Sequence, residues 1–229
     1  MKKMMNGYPD LQVITKALAD PSRLEILTTL MDGKFHTVSA LAKKAKIKSH
    51  TATYHLKIMC DLNWVSSYKQ GKNVYYRLCS EEVANILEHL MNISPIKKVQ
   101  SFNENSAYQK LKLGRSCYKH LAGKLGVSFF NYLLHNECIR FDGDNLMLTS
   151  KGNNYFESIG IEINKIKTQP GIFIKPCLDW TEKTFHLGGN LGKAFFNLCV
   201  RENFIVSNSE NRSVSLTSSG EKFFLPFKS

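Results

Sequence analysis

Apolar residues recur at helical spacing through the first third of the chain. Leu11, Ile14 and Leu18 mark one helix within Tyr8 to Asp32; Asp20-Pro21-Ser22 ends it and starts a second, filled by Leu24, Ile26, Leu27 and Leu30 and stopped at Asp32-Gly33. A third helix is expected around Val38 to Ala45, with Val38, Leu41, Ala42 and Ala45 inward. After a turn at Lys46 to Lys48, Ala52, Leu56 and Met59 share one face of a fourth helix, with Ser49 as its N-cap. Lys48, His50, Thr51, Tyr54, His55 and Lys57 are left for its other faces. Two strand-like runs then flank Gln70-Gly71-Lys72-Asn73, a hairpin signal. Ser80-Glu81-Glu82 opens a fifth helix whose stripe (Val83, Ile86, Leu87, Leu90, Met91) is wide enough to call for a partner helix.

The second half repeats itself. The segment from His120 to Asn131 aligns with that from His186 to Asn197, and after a slip of two residues Leu148-Thr149-Ser150-Lys151-Gly152 meets Leu216-Thr217-Ser218-Ser219-Gly220. The order expected in each copy is helix, glycine turn, apolar helix, hairpin, helix. The helices Phe129 to His135 and Phe195 to Arg201 are apolar nearly all round, so they should be buried. The hairpin tips Asp142-Gly143-Asp144 and Ser209-Glu210-Asn211 are acidic or neutral, which disfavours contact with phosphate. The fold class expected is mostly α with small β-hairpins (α+β). A winged helix-turn-helix over 1–92 is followed by a connector, 93–115, with a short helix around Ala107 to Leu113. Two degenerate winged-helix-like repeats, about 116–160 and 176–229, complete a regulatory or packing domain over 116–229.

Charge sharpens the reading of the first domain. The net charge is +12, and between Lys34 and Arg77 nine Lys/Arg face a single acid, Asp61. Clustered positive charge suits a polyanion and supplies salt-dependent affinity. A hydroxyl- and imidazole-bearing helix followed by a basic hairpin is what a winged helix-turn-helix shows to double-stranded DNA. The residues expected to touch it are Lys48, Ser49, His50, Thr51, Thr53, Tyr54, His55 and Lys57 on the helix, with Lys69, Lys72 and Arg77 on the hairpin. No apolar run follows Met1 to Gly7, and none elsewhere is long enough to span a bilayer, so neither a signal peptide nor a membrane partner is expected. Six scattered cysteines in a chain of cytoplasmic type are expected as thiols.

These pieces together carry a resemblance. Ala17 to Leu27, the Leu41-Ala42 helix, Thr53-Tyr54-His55-Leu56-Lys57 and Gly71 to Leu78 resemble the ArsR/SmtB family of bacterial winged-helix repressors over residues 8–92. The resemblance implies a homodimer built from the first and last helices of the domain, bound to a two-fold symmetric operator. The family's familiar metal sites do not carry over: Phe35 to Ala40 holds no Cys-x-Cys, and the fifth helix offers Glu81, Glu82, Glu88 and a lone His89.

Candidate chemistry lies beside each repeat. Cys117 and His120, three apart, are expected on one helical face; the counterpart is Cys177, Asp179 and Trp180, with His186 further on. A pseudo-two-fold between the repeats would bring the two segments face to face, lining one cavity walled by Tyr118, Trp180 and nearby phenylalanines. Buried thiols and backbone-satisfied histidines would explain them structurally. Functionally, a small organic effector or a thiol redox signal is expected ahead of a zinc-like ion, and no metal ligand is assigned. Cys60, Cys138 and Cys199 read as apolar helical positions. Gly188 to Lys193 is one residue short of a phosphate loop, with Ala194 where Ser or Thr belongs, and Gly123 and Gly126 follow no strand. With no carboxylate pair or nucleophile–base set, the chain is expected to be a regulator, a repressor above all, rather than an enzyme. A tandem winged-helix scaffold for protein contacts is the alternative.

Overall fold

Asp20 sets the first corner of the fold in the computed structural model, which describes residues 7, 9–96, 98, 100–208 and 211–228. Tyr8 and the Ser209-Glu210 tip, both used in the sequence analysis, lie outside the described residues. After α1 (Leu11–Leu18), the Asp20 side chain accepts from the Ser22 and Arg23 amides and Pro21 takes the first position of α2 (Pro21–Leu30), where a missing N–H costs nothing. Strand β1 (His36–Thr37) leads into α3 (Val38–Lys44) and α4 (Ser49–Asp61). Strands β2 (Val65–Gln70) and β3 (Asn73–Leu78) form the expected hairpin, with β1 antiparallel on the far side of β3. Ile26, Leu27, Leu30, Leu41, Ala52, Leu56 and Met59 fill the core of this unit. Leu24 stays partly outside, and Lys48 rather than Ser49 is the N-cap of α4, without a side-chain cap bond.

Helix α5 (Glu81–Ile93) follows, and the chain divides within it into two units, Met1–Val83 and Ala84–Ser229. The division falls earlier than the expected boundary after 92. The expected connector holds a full helix, α6 (Phe102–Leu113), capped by Ser101, whose hydroxyl accepts from the Glu104 amide.

The second unit contains the repeat, with one element changed. The first copy runs β4 (Arg115–Cys117), β5 (His120–Ala122), α7 (Lys124–His135), β6 (Ile139–Asp142), β7 (Asn145–Leu148), α8 (Ser150–Ser158). A short α9 (Ile163–Lys167) precedes the second copy: β8 (Lys175–Leu178), β9 (Phe185–Gly188), α10 (Gly189–Arg201), β10 (Ile205–Ser207), β11 (Val214–Leu216), α11 (Ser218–Phe224). A hairpin therefore opens each copy where a helix was expected. The β4–β5 turn explains why it was missed: Tyr118 and Lys119 take φ of 45° and 73°, left-handed at both central positions as in a type I′ turn, yet neither is Gly or Asn. Matched hydroxyls cap α8 and α11: Thr149 accepts from the Gly152 amide and Thr217 from Gly220.

Both helices bury their apolar face as expected, although Lys124, Asn131 and His135 of α7 and Asn197, Val200 and Arg201 of α10 stay exposed. Phe129 of α7 stacks on Phe195 of α10, its repeat equivalent, with centroids 3.7 Å apart and planes 4° from parallel. Leu125, Leu133, Leu191, Cys199, Phe156 and Phe224 close around them. Cys138 is buried but lies in the turn after α7, not on a helix. Among the described residues no helix is long and apolar enough to cross a membrane.

Because Phe195 is the face on which the two copies meet, Phe195→Ala should destabilise the second unit by about 3–5 kcal/mol. Urea unfolding followed by Trp180 fluorescence in a Trp64→Phe background reads it; unchanged stability would mean the stack is incidental.

Candidate nucleic-acid interface and a buried Cys–His cluster

The inward stripe of α4 is Ala52, His55, Leu56 and Met59, at i, i+3, i+4 and i+7. His55 was expected among the DNA-contacting residues, but it completes that stripe and is 7% exposed. Its Nδ1 lies 3.3 Å from Arg23 Nη1, and its Nε2 is 3.8 Å from Asp20. Arg23 also donates to the Ala17 and Lys16 carbonyls, so His55 ties α4 to the α1–α2 corner. The helical period of the sequence carried this signal. The other expected residues do stand outside: Lys48, Ser49, His50, Thr53, Tyr54 and Lys57 are exposed, and Thr51 is half-buried. Tyr54 is 63% exposed, with its ring centroid 5.8 Å from that of His55.

On the wing, Lys69, Lys72 and Arg77 are all exposed. The Arg77 guanidinium sits 4.9 Å above the Phe35 ring, which holds it in place without neutralising it.

The second unit brings the four cysteine and histidine residues of the sequence analysis together. Cys117 faces His120 across the β4–β5 ladder, and Cys177 faces His186 across β8–β9. Cross-strand partners share a face of the hairpin, so each hairpin presents one thiol and one imidazole on the same side. The unequal spacing of the two pairs in the sequence is only a difference in loop length. The two sulfurs are 3.9 Å apart, and one ligand atom from each of the four residues lies within 4.8 Å of all the others. All four are buried.

The approach is mirrored between copies. A Cβ on Gly126 would strike the Leu121 carbonyl and stand 3.3 Å from His186 Cβ. A Cβ on Gly192, the equivalent position, would strike the Leu187 carbonyl and stand 3.4 Å from His120 Cδ2. Gly126 and Gly192 are therefore required by the close approach of the preceding hairpin carbonyl, with the other copy's histidine packed just beyond.

Asp179 anchors this arrangement. Its Oδ1 accepts from Arg115 Nη2 at 2.9 Å, from Thr181 N at 2.9 Å and Oγ1 at 2.7 Å, and from Glu182 N at 3.2 Å. Its Oδ2 accepts from the Gly123 amide at 2.6 Å and lies 3.3 Å from His186 Nδ1, at ion-pair distance though not well aligned. Burial would raise the carboxyl, but His186 and Arg115 outweigh it and hold it well below the usual carboxylate range. Burial likewise works against the His186 imidazolium, yet Asp179 and the Cys117 sulfur push it up to about 9. The hydrogen bond shared with Cys177, and then burial, push the Cys117 thiol up.

The Trp180 ring lies 4.5 Å from the Arg115 guanidinium, and neither Trp180 nor Tyr118 lines the cleft beside Cys177. The cleft beside Cys177 measures about 120 Å³ and is lined by α5 and β8 residues rather than phenylalanines. Organic ligands usually occupy about 300 Å³ or more. Arg115 was placed in the connector by sequence reasoning, and Arg212, paired with Glu88 at 2.9 Å, was not singled out at all. Neither buried arginine had a local signal, because each is matched by an acid far away in the chain.

The first unit is a winged helix-turn-helix. A helix-turn-helix domain model matches residues 18–61. The HTH-type transcriptional regulator YdfF of Bacillus subtilis is 36% identical over 216 residues, covering 94% of this chain and 96% of that protein, so the likeness runs through both units. The arsenical resistance operon repressor of Bacillus subtilis is 38% identical over 72 residues, 31% of this chain and 69% of its own length. A homodimeric winged helix-turn-helix DNA-binding domain from Mycobacterium bovis is 24% identical over 42% of this chain and 100% of that one, with a TM-score of 0.34. The chain belongs to the ArsR/SmtB family of winged helix-turn-helix transcriptional regulators.

Arg115 and Asp179 are both 0% exposed. Replacing Arg115 by Met should destabilise the second unit by about 3–5 kcal/mol, since it strands a buried carboxylate. The double change Arg115→Met, Asp179→Leu should recover part of that loss in urea unfolding. Equal stabilities of wild type and the single variant would show that the pair is not coupled.

Proposed function

We propose that this transcriptional regulator acts as a repressor, binding a two-fold symmetric operator as a homodimer. Helix α4 enters the major groove and the β2–β3 hairpin rides on the adjacent phosphates. The observation that carries the reading is the outer face of α4. His50, Thr53, Tyr54 and Lys57 stand exposed there, while every apolar position of the helix that the core needs is buried. The basic hairpin that follows presents Lys69, Lys72 and Arg77, all exposed, as charge for the phosphates. For the dimer, α1 leaves Leu11 and Val13 exposed and α5 leaves Ile86 and Ile93 exposed, apolar surface that a second copy would cover. In this reading the second unit, whose equivalent helices are buried, regulates or stabilises the dimer and does not read DNA.

Two measurements on the full chain test it. The double variant His50→Ala, Tyr54→Ala should lose about 1–3 kcal/mol of operator affinity, with the circular dichroism spectrum unchanged. Unaltered affinity would remove α4 from the interface. Lys72→Ala should weaken binding similarly on all sequences and reduce the slope of log affinity against log salt by about one. A changed sequence preference at constant slope would instead make the wing a base reader.

A further inference from the structure

The geometry points to a zinc-class metal site in the second unit, in which Cys117, His120, Cys177 and His186 bind one divalent ion and clamp the two repeats together. Four ligands about 2.1–2.3 Å from a tetrahedral centre stand about 3.4–3.8 Å from one another. The sulfurs lie 3.9 Å apart and all four candidate ligand atoms fall within 4.8 Å, so small side-chain movements complete the tetrahedron. The donor set selects the ion. Two sulfurs and two ring nitrogens, with no oxygen among them, suit a borderline-soft cation and exclude calcium or magnesium.

Charge supports the same ion. On binding, the two thiols release their protons to solvent, and so does the His186 ring nitrogen that turns to the ion; the resulting dication with two thiolates and two neutral imidazoles has no net charge. A neutral centre is what a buried site tolerates, whereas isolated charges there would be costly. The surroundings are those of a ligated histidine. With His186 Nδ1 turned to the Asp179 carboxylate at 3.3 Å, the remaining ring nitrogen is the one available to the cluster. Asp179 is itself fixed by Arg115, Thr181 and Gly123, a carboxylate–histidine relay of the kind that orients metal ligands. The cleft beside Cys177 provides a way in.

Each repeat contributes one cysteine and one histidine, so neither can bind the ion tightly alone. Four protein ligands leave no open position, which makes the site a brace rather than a centre for hydrolytic chemistry. It lies outside α3 and the exposed face of α5, where the familiar sites of the family would fall.

The test uses the full chain, purified without added metal and without chelator. Inductively coupled plasma mass spectrometry should find one zinc per chain, with none in the Cys117→Ser, Cys177→Ser double variant. Because that variant is informative only when it folds, a second measurement uses the wild-type chain, stripped by chelator and titrated with Co2+. One equivalent should produce the intense visible bands of tetrahedral cobalt and a thiolate-to-cobalt charge-transfer band, and zinc should abolish both. Metal-free protein that takes up no Co2+, a cobalt spectrum lacking the thiolate band, or a disulfide joining Cys117 to Cys177 would each overturn the site. None of these readouts involves DNA, so failure here is distinct from failure of the operator-binding reading.

Discussion

Asp179 accepts hydrogen bonds from both copies of the repeat: Arg115 and the Gly123 amide from the first, and Thr181 and Glu182 from its own loop. A carboxylate removed this fully from water survives as an anion only because those donors and the neighbouring imidazole replace its hydration. The consequence is geometric. The loop after β8 is wrapped on its first residue, the start of α7 is pinned through Gly123, and His186 is oriented toward the two cysteines. The order of the second unit near the pseudo-two-fold therefore depends on one side chain more than on any single apolar contact.

The two units use related element orders to opposite ends. In the first, α4 buries a narrow stripe and leaves its polar faces, followed by a basic hairpin, to solvent. In the second, α7 and α10 bury a broad apolar face and leave a narrow polar strip with Asn131 and His135, or Asn197 and Arg201, outside, and Phe129 and Phe195 stack between the two copies. Opening each copy with a hairpin rather than a helix also places a cysteine and a histidine directly opposite each other. A helix with the same residues would have held only one such pair at usable spacing, because nine residues separate the members of the other.

The operator-binding and metal readings are physically separable. One depends on exposed polar side chains and phosphate charge, and so weakens with salt. The other depends on thiolate and imidazole donors shielded from solvent, and so responds to chelators and protons instead.

The sequence by itself determined the local patterns. The Asp20-Pro21 corner, the inward stripe of α4, the Gln70–Asn73 hairpin and the internal repeat all follow from residues a few positions apart, where periodicity and capping act. Even His55 was legible as part of that stripe, since its spacing from Ala52 and Leu56 is helical. Only the tertiary structure decided what depends on partners distant in the chain. The turn at Tyr118-Lys119 holds left-handed backbone without glycine, so no local rule could show β4–β5. Arg115 and Arg212 are buried because Asp179 and Glu88 meet them from elsewhere. Cys117, His120, Cys177 and His186 were all visible as candidates, but their convergence requires two hairpins to pack across a pseudo-two-fold. That arrangement comes from burying two sets of phenylalanines against each other, and no spacing within either segment encodes it.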